Sequence, residues 1–141
     1  MSDTRIVIST NPARLDHRWI CAMLRAAYWG DWLNDAQIIA ALPHSLCFGA
    51  YAISRTLPKP KQVGLVRVVT DHAIFSSVTD VIVDPEWREQ GIGSKLMAAV
   101  SGHPAIAGTI SILATRYASH LYGRFGWRDT KQRIMIRNPT I

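Results

Sequence analysis

The chain has little of what would place it outside the cell or in a membrane. Only two cysteines occur in 141 residues. Cys21 and Cys47 lie far apart in apolar surroundings, so they read as buried thiols of a reducing cytoplasm, not as a disulfide or a metal pair. No apolar run approaches the roughly 18 residues of a membrane span. The start, Met1-Ser2-Asp3-Thr4-Arg5, lacks the regions of a signal peptide. Internal repeats, low-complexity segments and interdomain linkers are missing as well. Acidic residues are few, 10 against 16 lysines and arginines, and the formal charge is +6. That charge raises nucleic acid as a partner. But the basic residues are scattered, the densest group being Lys59, Lys61 and nearby Arg55, and no nucleic-acid motif accompanies them. A solvated surface plus a site for a polyanionic small molecule accounts for it. What is plentiful is apolar residues, 48% of the chain, enough for a core. The expectation is one cytoplasmic domain, residues 1–141, with no membrane or nucleic-acid partner and no metal.

The most informative stretch runs from Val81 to Gly93. The β-branched run Val81-Ile82-Val83 stops at Asp84-Pro85. A short polar loop, Glu86 to Gln90, leads to Gly91-Ile92-Gly93 and then to the helical pattern Ile92, Leu96, Met97, Val100. This order is strand, turn, glycine loop, helix. The first turn of such a helix leaves backbone N–H groups unpaired at its positive end, a ready anion site. Gly91 and Gly93 lack a Cβ, so an anion can come close to the backbone. Arg88 adds a fixed charge. The ligand expected here is a phosphate or pyrophosphate.

Three glycine-loop families compete. A dinucleotide fingerprint needs a third glycine, where this chain has Leu96, and an acidic residue about 20 positions on. A P-loop needs a four-residue spacer before Gly-Lys-Ser/Thr, and Gly93-Ser94-Lys95 offers neither the spacer nor the order. The remaining pattern, Arg88-x-x-Gly91-x-Gly93 after a strand ending Val-Asp-Pro, resembles the acetyl-coenzyme-A motif of the GNAT N-acetyltransferase superfamily. A second block supports it. Leu113 to Trp127 resembles the superfamily's later segment, in which a strand leads to a short helix ending aromatic-Tyr-x-x-Phe/Leu-Gly-Phe. Tyr122, Phe125, Gly126 and Trp127 match. Leu121 stands where phenylalanine is common, and Thr115 where many members carry asparagine.

Along the chain, periodicity and punctuation predict strands at 5–9, 45–54, 62–70, 74–83, 109–114 and 134–137. Helices are predicted after Asp16, with Trp19, Ile20, Met23, Leu24 and Ala27 on one face and Gly30 as terminator. Others are predicted at 34–42 with Ile38, Ile39 and Leu42 inward, at 91–103 and at 119–125. The region ended by Pro104 and Gly108 reads as loop. The fold class is α/β (α+β). A mixed, largely antiparallel sheet of about six to seven strands carries helices on both faces, as the resemblance also implies.

The resemblance further implies acetyl-coenzyme A as co-substrate and a small-molecule amine or peptide as acceptor, in a monomer or homodimer. A bulge would divert the strand before the loop. The backbone of Val81, Ile82 and Val83 would then pair with the pantetheine arm, and one N–H would polarise the thioester carbonyl. Glu89, Gln90, Gly91, Ile92, Gly93 and Ser94 would hold the pyrophosphate. Arg124, or else Arg116, would reach another phosphate or simply carry surface charge. Thr115 occupies the asparagine's place in the contact set. Tyr122 would protonate the departing thiolate, since phenol and thiol acidities lie near each other at about 10 and 8.5. Its alternative is packing with Phe125 and Trp127. Asp80, an acid inside a β-rich run, is a candidate base, unless a neighbouring backbone N–H or arginine satisfies it. Asp71, His72, Glu86 and a water chain are its rivals. Tyr28 and Trp29, with Trp32, would border the acceptor pocket or form a seam between helices. A non-catalytic acyl-coenzyme-A-binding module is the other reading of the same fold.

Overall fold

The computed structural model describes residues 3–27, 30–115 and 118–139. Five strands form one sheet in the order β1 (Arg5–Ser9), β2 (Leu46–Ile53), β3 (Lys61–Thr70), β4 (Phe75–Val83) and β5 (Ile110–Leu113). The first three pairings are antiparallel and β4–β5 is parallel. The parallel pair needs a crossover, and α3 (Ile92–Gly102) and the short α4 (Pro104–Ala107) provide it. The expected fold class holds with fewer strands. Residues 134–137 are not a strand, and Ile134, Met135 and Ile136 are 62%, 87% and 82% exposed. Their alternation alone does not make a strand where no neighbour pairs with them.

Helices cover both faces. On one face α3 lays Ile92, Leu96, Met97 and Val100 against β2 and β3, each at most 1% exposed. Burial of each such side chain contributes about 1.5–3 kcal/mol. The helix comes close because β3 offers Gly64, where a Cβ would lie 2.9 Å from Leu96 Cδ1. α5 (Ser119–Gly123) joins this layer through Tyr122. On the other face α1 (His17–Ala26) and α2 (Asp35–Ala41) pack Ile20, Leu24, Ile38 and Leu42 on Leu65 and Ile82.

Caps set the helix starts. Asp16 accepts the N–H of Trp19, and Asn34 with Gln37 forms a reciprocal box at α2. Two expectations change here. Ile39 is 42% exposed, because the short α2 turns only Ile38 and the following Leu42 inward. α1 stops at Ala26, before Gly30, and Gly30 instead lies against it, where a Cβ would be 1.8 Å from the Leu24 carbonyl oxygen.

Candidate active site

β4 is paired unequally along its length. Its contact with β5 ends at Val78, opposite Leu113. From Thr79 to Val83 it has β3 on one side and, among the described residues, no strand on the other. A bulge sits at this point. Arg67 faces Asp80 and Val68 faces Val78, so Thr79 is the extra residue. Its hydroxyl donates to the Arg67 carbonyl at 3.1 Å. The bulge reverses the faces of the strand: Val78 joins the α3 layer, whereas Ile82 joins the α1–α2 layer.

Alternation then says which backbone groups face the gap. The Asp84 N–H donates to the Val63 carbonyl of β3 at 2.8 Å. In an antiparallel pair every second residue does the same, so Ile82 turns its N–H and C=O toward β3. Those of Val81 and Val83 turn toward the gap, and the Val83 carbonyl accepts from Arg88 Nε at 3.3 Å. Ile82 therefore belongs to the sheet, a narrower set than the expected three.

The strand runs into the glycine loop through Asp84, a residue that the sequence marks only as a strand stop. Asp84 is 8% exposed. One carboxylate oxygen accepts the Glu86 N–H at 3.0 Å and the other accepts Trp19 Nε1 of α1, also at 3.0 Å. Beyond it Glu89 and Gly91 have φ of 64° and 76°. The left-handed form is easy for glycine but costs other residues about 1–2 kcal/mol. Gly91 is the N-cap of α3 and offers no side-chain oxygen. The first bond back to it comes from Lys95 N–H, at 3.0 Å, so the N–H groups of Ile92, Gly93 and Ser94 have no partner within the helix.

These donors open onto a cleft of about 170 Å³. Val83, Arg88, Glu89, Gly91, Ile92, Gly93 and Ser94, all expected from the sequence, line it. Trp87 and Leu121 complete it and were not expected. Leu121 was legible only as a departure from the family motif, and Trp87 gave no signal beyond being an aromatic in a loop. A Cβ on Gly93 would meet only Leu121 Cδ2, at 3.6 Å, so it would stand inside the cleft. Arg124 Nη2 donates to Ser94 Oγ at 2.9 Å, which holds a second guanidinium beside the start of α3. Gln90 is exposed in the loop and is not a cleft wall. Thr115 Oγ1 accepts the Ala118 N–H at 2.9 Å, just before α5 begins at Ser119. Tyr122 is 8% exposed in the α3-side core, next to the lining Leu121.

The carboxylates separate by their surroundings. Asp80 is 5% exposed, and its carboxylate meets Arg67 Nε at 2.6 Å. Arg67 Nη1 also donates to Ser45 Oγ, at 3.0 Å. Asp80 therefore has the arginine partner that was its alternative, in a largely buried pair. Asp71 Oδ1 accepts the N–H groups of Ala73, Ile74 and Phe75 at 2.9, 2.8 and 3.0 Å. These bonds lower its pKa to about 2, too low for a base near neutral pH. Glu86 is exposed, and His72 occupies the β3–β4 turn at φ 63°. Tyr28, Trp29 and Arg116 lie outside the described residues. No group of three or more His, Cys, Asp or Glu suited to a metal occurs among the described residues. No helix there is long and apolar enough to cross a membrane.

The family model of the GNAT acetyltransferase domain matches residues 46–138, from β2 through the loop and α5. The chain belongs to the GNAT acetyltransferase family. A relative in Gibberella zeae that bears an acetyltransferase name is 30% identical, over 89% of this chain and 81% of its own. A solved GNAT-family structure from Xanthomonas campestris is 34% identical with a TM-score of 0.83, covering 96% of this chain and 94% of that one. An aminoglycoside N-acetyltransferase solved with coenzyme A shares the fold, with a TM-score of 0.65 over 99% of this chain and 97% of that one. Its identity is 17%, so the likeness is one of architecture. For this GNAT chain the family supports acetyl transfer in general.

Proposed function

We propose that the chain, as one domain over residues 1–141, is a cytoplasmic N-acetyltransferase that uses acetyl-coenzyme A to acetylate a primary amine on a small molecule or peptide. One observation carries this reading: the donor-rich cleft at the start of α3 is continuous with the unpaired edge of β4. The cleft floor has no side chain at Gly91 and Gly93, and two arginines flank it. That suits a diphosphate at Gly91–Ser94, with Arg88 and Arg124 as counter-charges. The edge suits an extended amide-bearing arm, held by the backbone of Val81 and Val83 as a strand would be.

Acetyl-coenzyme A, when bound, supplies an acetyl thioester that a neutral amine attacks directly. The chain's part is to hold, polarise and move protons. An N–H of Val81 or Val83 serves as the single donor to the carbonyl oxygen. Tyr122 Oη gives its proton to the departing sulfur. With Asp71 too acidic, Asp80 paired to Arg67, Glu86 exposed in the loop and His72 in the β3–β4 turn, we assign proton removal from the amine to water. From the sequence, we assign the acceptor side to the aromatic segment Tyr28, Trp29 and Trp32 that follows α1.

The test is thiol release from acetyl-coenzyme A across a panel of polyamines, aminoglycosides, amino acids and peptide N-termini. Amine-dependent release, with the acetylated product seen by mass spectrometry, is expected for at least one class. Coenzyme A binding without turnover on any amine would leave only a binding module.

A further inference from the structure

We infer that Arg67 and Asp80 are positioning residues that lock the Thr79 bulge, and thereby decide which backbone groups of β4 face the cofactor arm. The inference rests on the reading of that edge as the arm's site.

The argument starts from the alternative register. With Val78 kept opposite Val68, a strand without the bulge would set Thr79 opposite Arg67 and Asp80 opposite Val66. Asp80 would then share the face of Val78, in the apolar layer under α3 with Val66, Leu96 and Met97. A carboxylate there would be desolvated without its arginine, which is strongly unfavourable. In the observed register it lies across from Arg67 on the opposite face, at 2.6 Å. Asp80 thus selects the bulged pairing and excludes the regular one, the use of a buried polar group best attested for fixing register.

The remaining contacts hold the same point. Thr79 Oγ1 donates to the Arg67 carbonyl, and Arg67 reaches Ser45, whose hydroxyl donates to the Ala41 carbonyl at the end of α2. The bulge is anchored from the α2 side of the molecule. A one-residue slip would turn Val81 and Val83 toward β3 and present Asp80 and Ile82 to the gap instead. The Asp84 side chain is held by Trp19 of α1, outside the β3–β4 pairing, so the glycine loop keeps an anchor of its own.

This predicts a loss specific to the arm. The variant to make is Arg67→Met/Asp80→Leu, which removes the charges together and suits either face. The probes are coenzyme A and 3′-phosphoadenosine 5′-diphosphate, the same molecule without its pantetheine arm, each titrated by calorimetry. The expected result is a folded variant that binds the arm-free probe as the wild type does and coenzyme A about tenfold more weakly, the equivalent of one or two main-chain hydrogen bonds. Unchanged coenzyme A affinity, or equal loss for both probes, would overturn the inference. If the double variant does not fold, Asp80→Asn carries the test, with the affinity ratio of the two probes as its readout. A shift against coenzyme A is expected, and an unchanged ratio would overturn the proposal. A wild-type chain that binds neither probe would instead remove the underlying reading of the site.

Discussion

Replacing Gly91 and Gly93 separately by alanine should divide one glycine motif into two jobs. Gly91 has φ 76°, and a Cβ added there would find nothing within 4 Å, so its alanine meets no clash and only a conformational cost. That cost is about 1–2 kcal/mol for a left-handed L-residue. Unfolding entropy of about 2.1 cal/mol/K per residue gives about 0.3 kcal/mol/K for 141 residues. Gly91→Ala should therefore lower Tm by about 3–7 °C. Gly93 lies in the first turn of α3, outside the left-handed region, with Leu121 Cδ2 the nearest atom at 3.6 Å. Alanine suits a helix better than glycine by at most about 1 kcal/mol, so Tm should hold or rise by up to about 3 °C. Its methyl would nevertheless stand where an anion must reach the N–H groups. Losing one charge-assisted hydrogen bond of about 1.5–3 kcal/mol weakens coenzyme A by roughly ten- to a hundredfold. The assays are thermal melts by circular dichroism and titration calorimetry. A Gly91→Ala protein that melts with the wild type, or a Gly93→Ala protein that keeps its affinity, would refute the division.

Tyr122→Phe keeps the buried ring and removes one hydroxyl, so coenzyme A affinity should change little while kcat falls about 10²–10⁴-fold; stopped-flow turnover at saturating acceptor checks this, and wild-type kcat would make Tyr122 a packing residue. Asp71, held at a pKa of about 2 by three N–H groups, is lower folded than unfolded. Its stabilising effect is therefore complete above the ordinary carboxylate range and is lost as pH falls toward about 2. A carboxyl-detected NMR titration should show that midpoint, and Asp71→Asn should flatten the acid limb of stability against pH. Burial pushes the Cys47 thiol to about 11 and raises that of Cys21. Neither should react with a disulfide reagent at neutral pH until the protein unfolds, so a stoichiometric reaction of the native chain would contradict this burial.

The parts of the site made by neighbours in sequence were legible in it. Gly91-x-Gly93 after a β-branched run gave the loop, the helix start and most of the cleft wall, because a glycine loop between a strand and a helix is a local arrangement. What depended on distant partners was not. Trp19 reads as one more apolar residue on the α1 face, yet its indole N–H holds Asp84, 65 residues away. The resemblance implies a bulge, but its place at Thr79 is hidden because Val78, Asp80 and Ile82 alternate as though they shared one face. Only pairing with β3 shows that Val78 and Ile82 belong to opposite cores. Asp80 was conspicuous, but its partner lies on another strand, and a carboxylate without a visible arginine invites a catalytic reading. The segment Ile134–Arg137 has strand periodicity, and periodicity cannot supply a neighbour.

The fixed position of Asp84 has a consequence for how a ligand is met. Its backbone and side chain are tied to β3, α1 and the following turn, and Ile92, at 1% exposure, closes the other end of the loop. Between them the longest exposed run is Arg88 to Gly91. Few dihedrals remain to be ordered, so little of the gross interaction energy is consumed in shaping the cleft. Arrival rather than rearrangement then limits association. With Arg88 and Arg124 beside the opening and a net charge of +6, the on-rate for a polyanion should fall steeply as salt is added, while the release rate stays nearly constant.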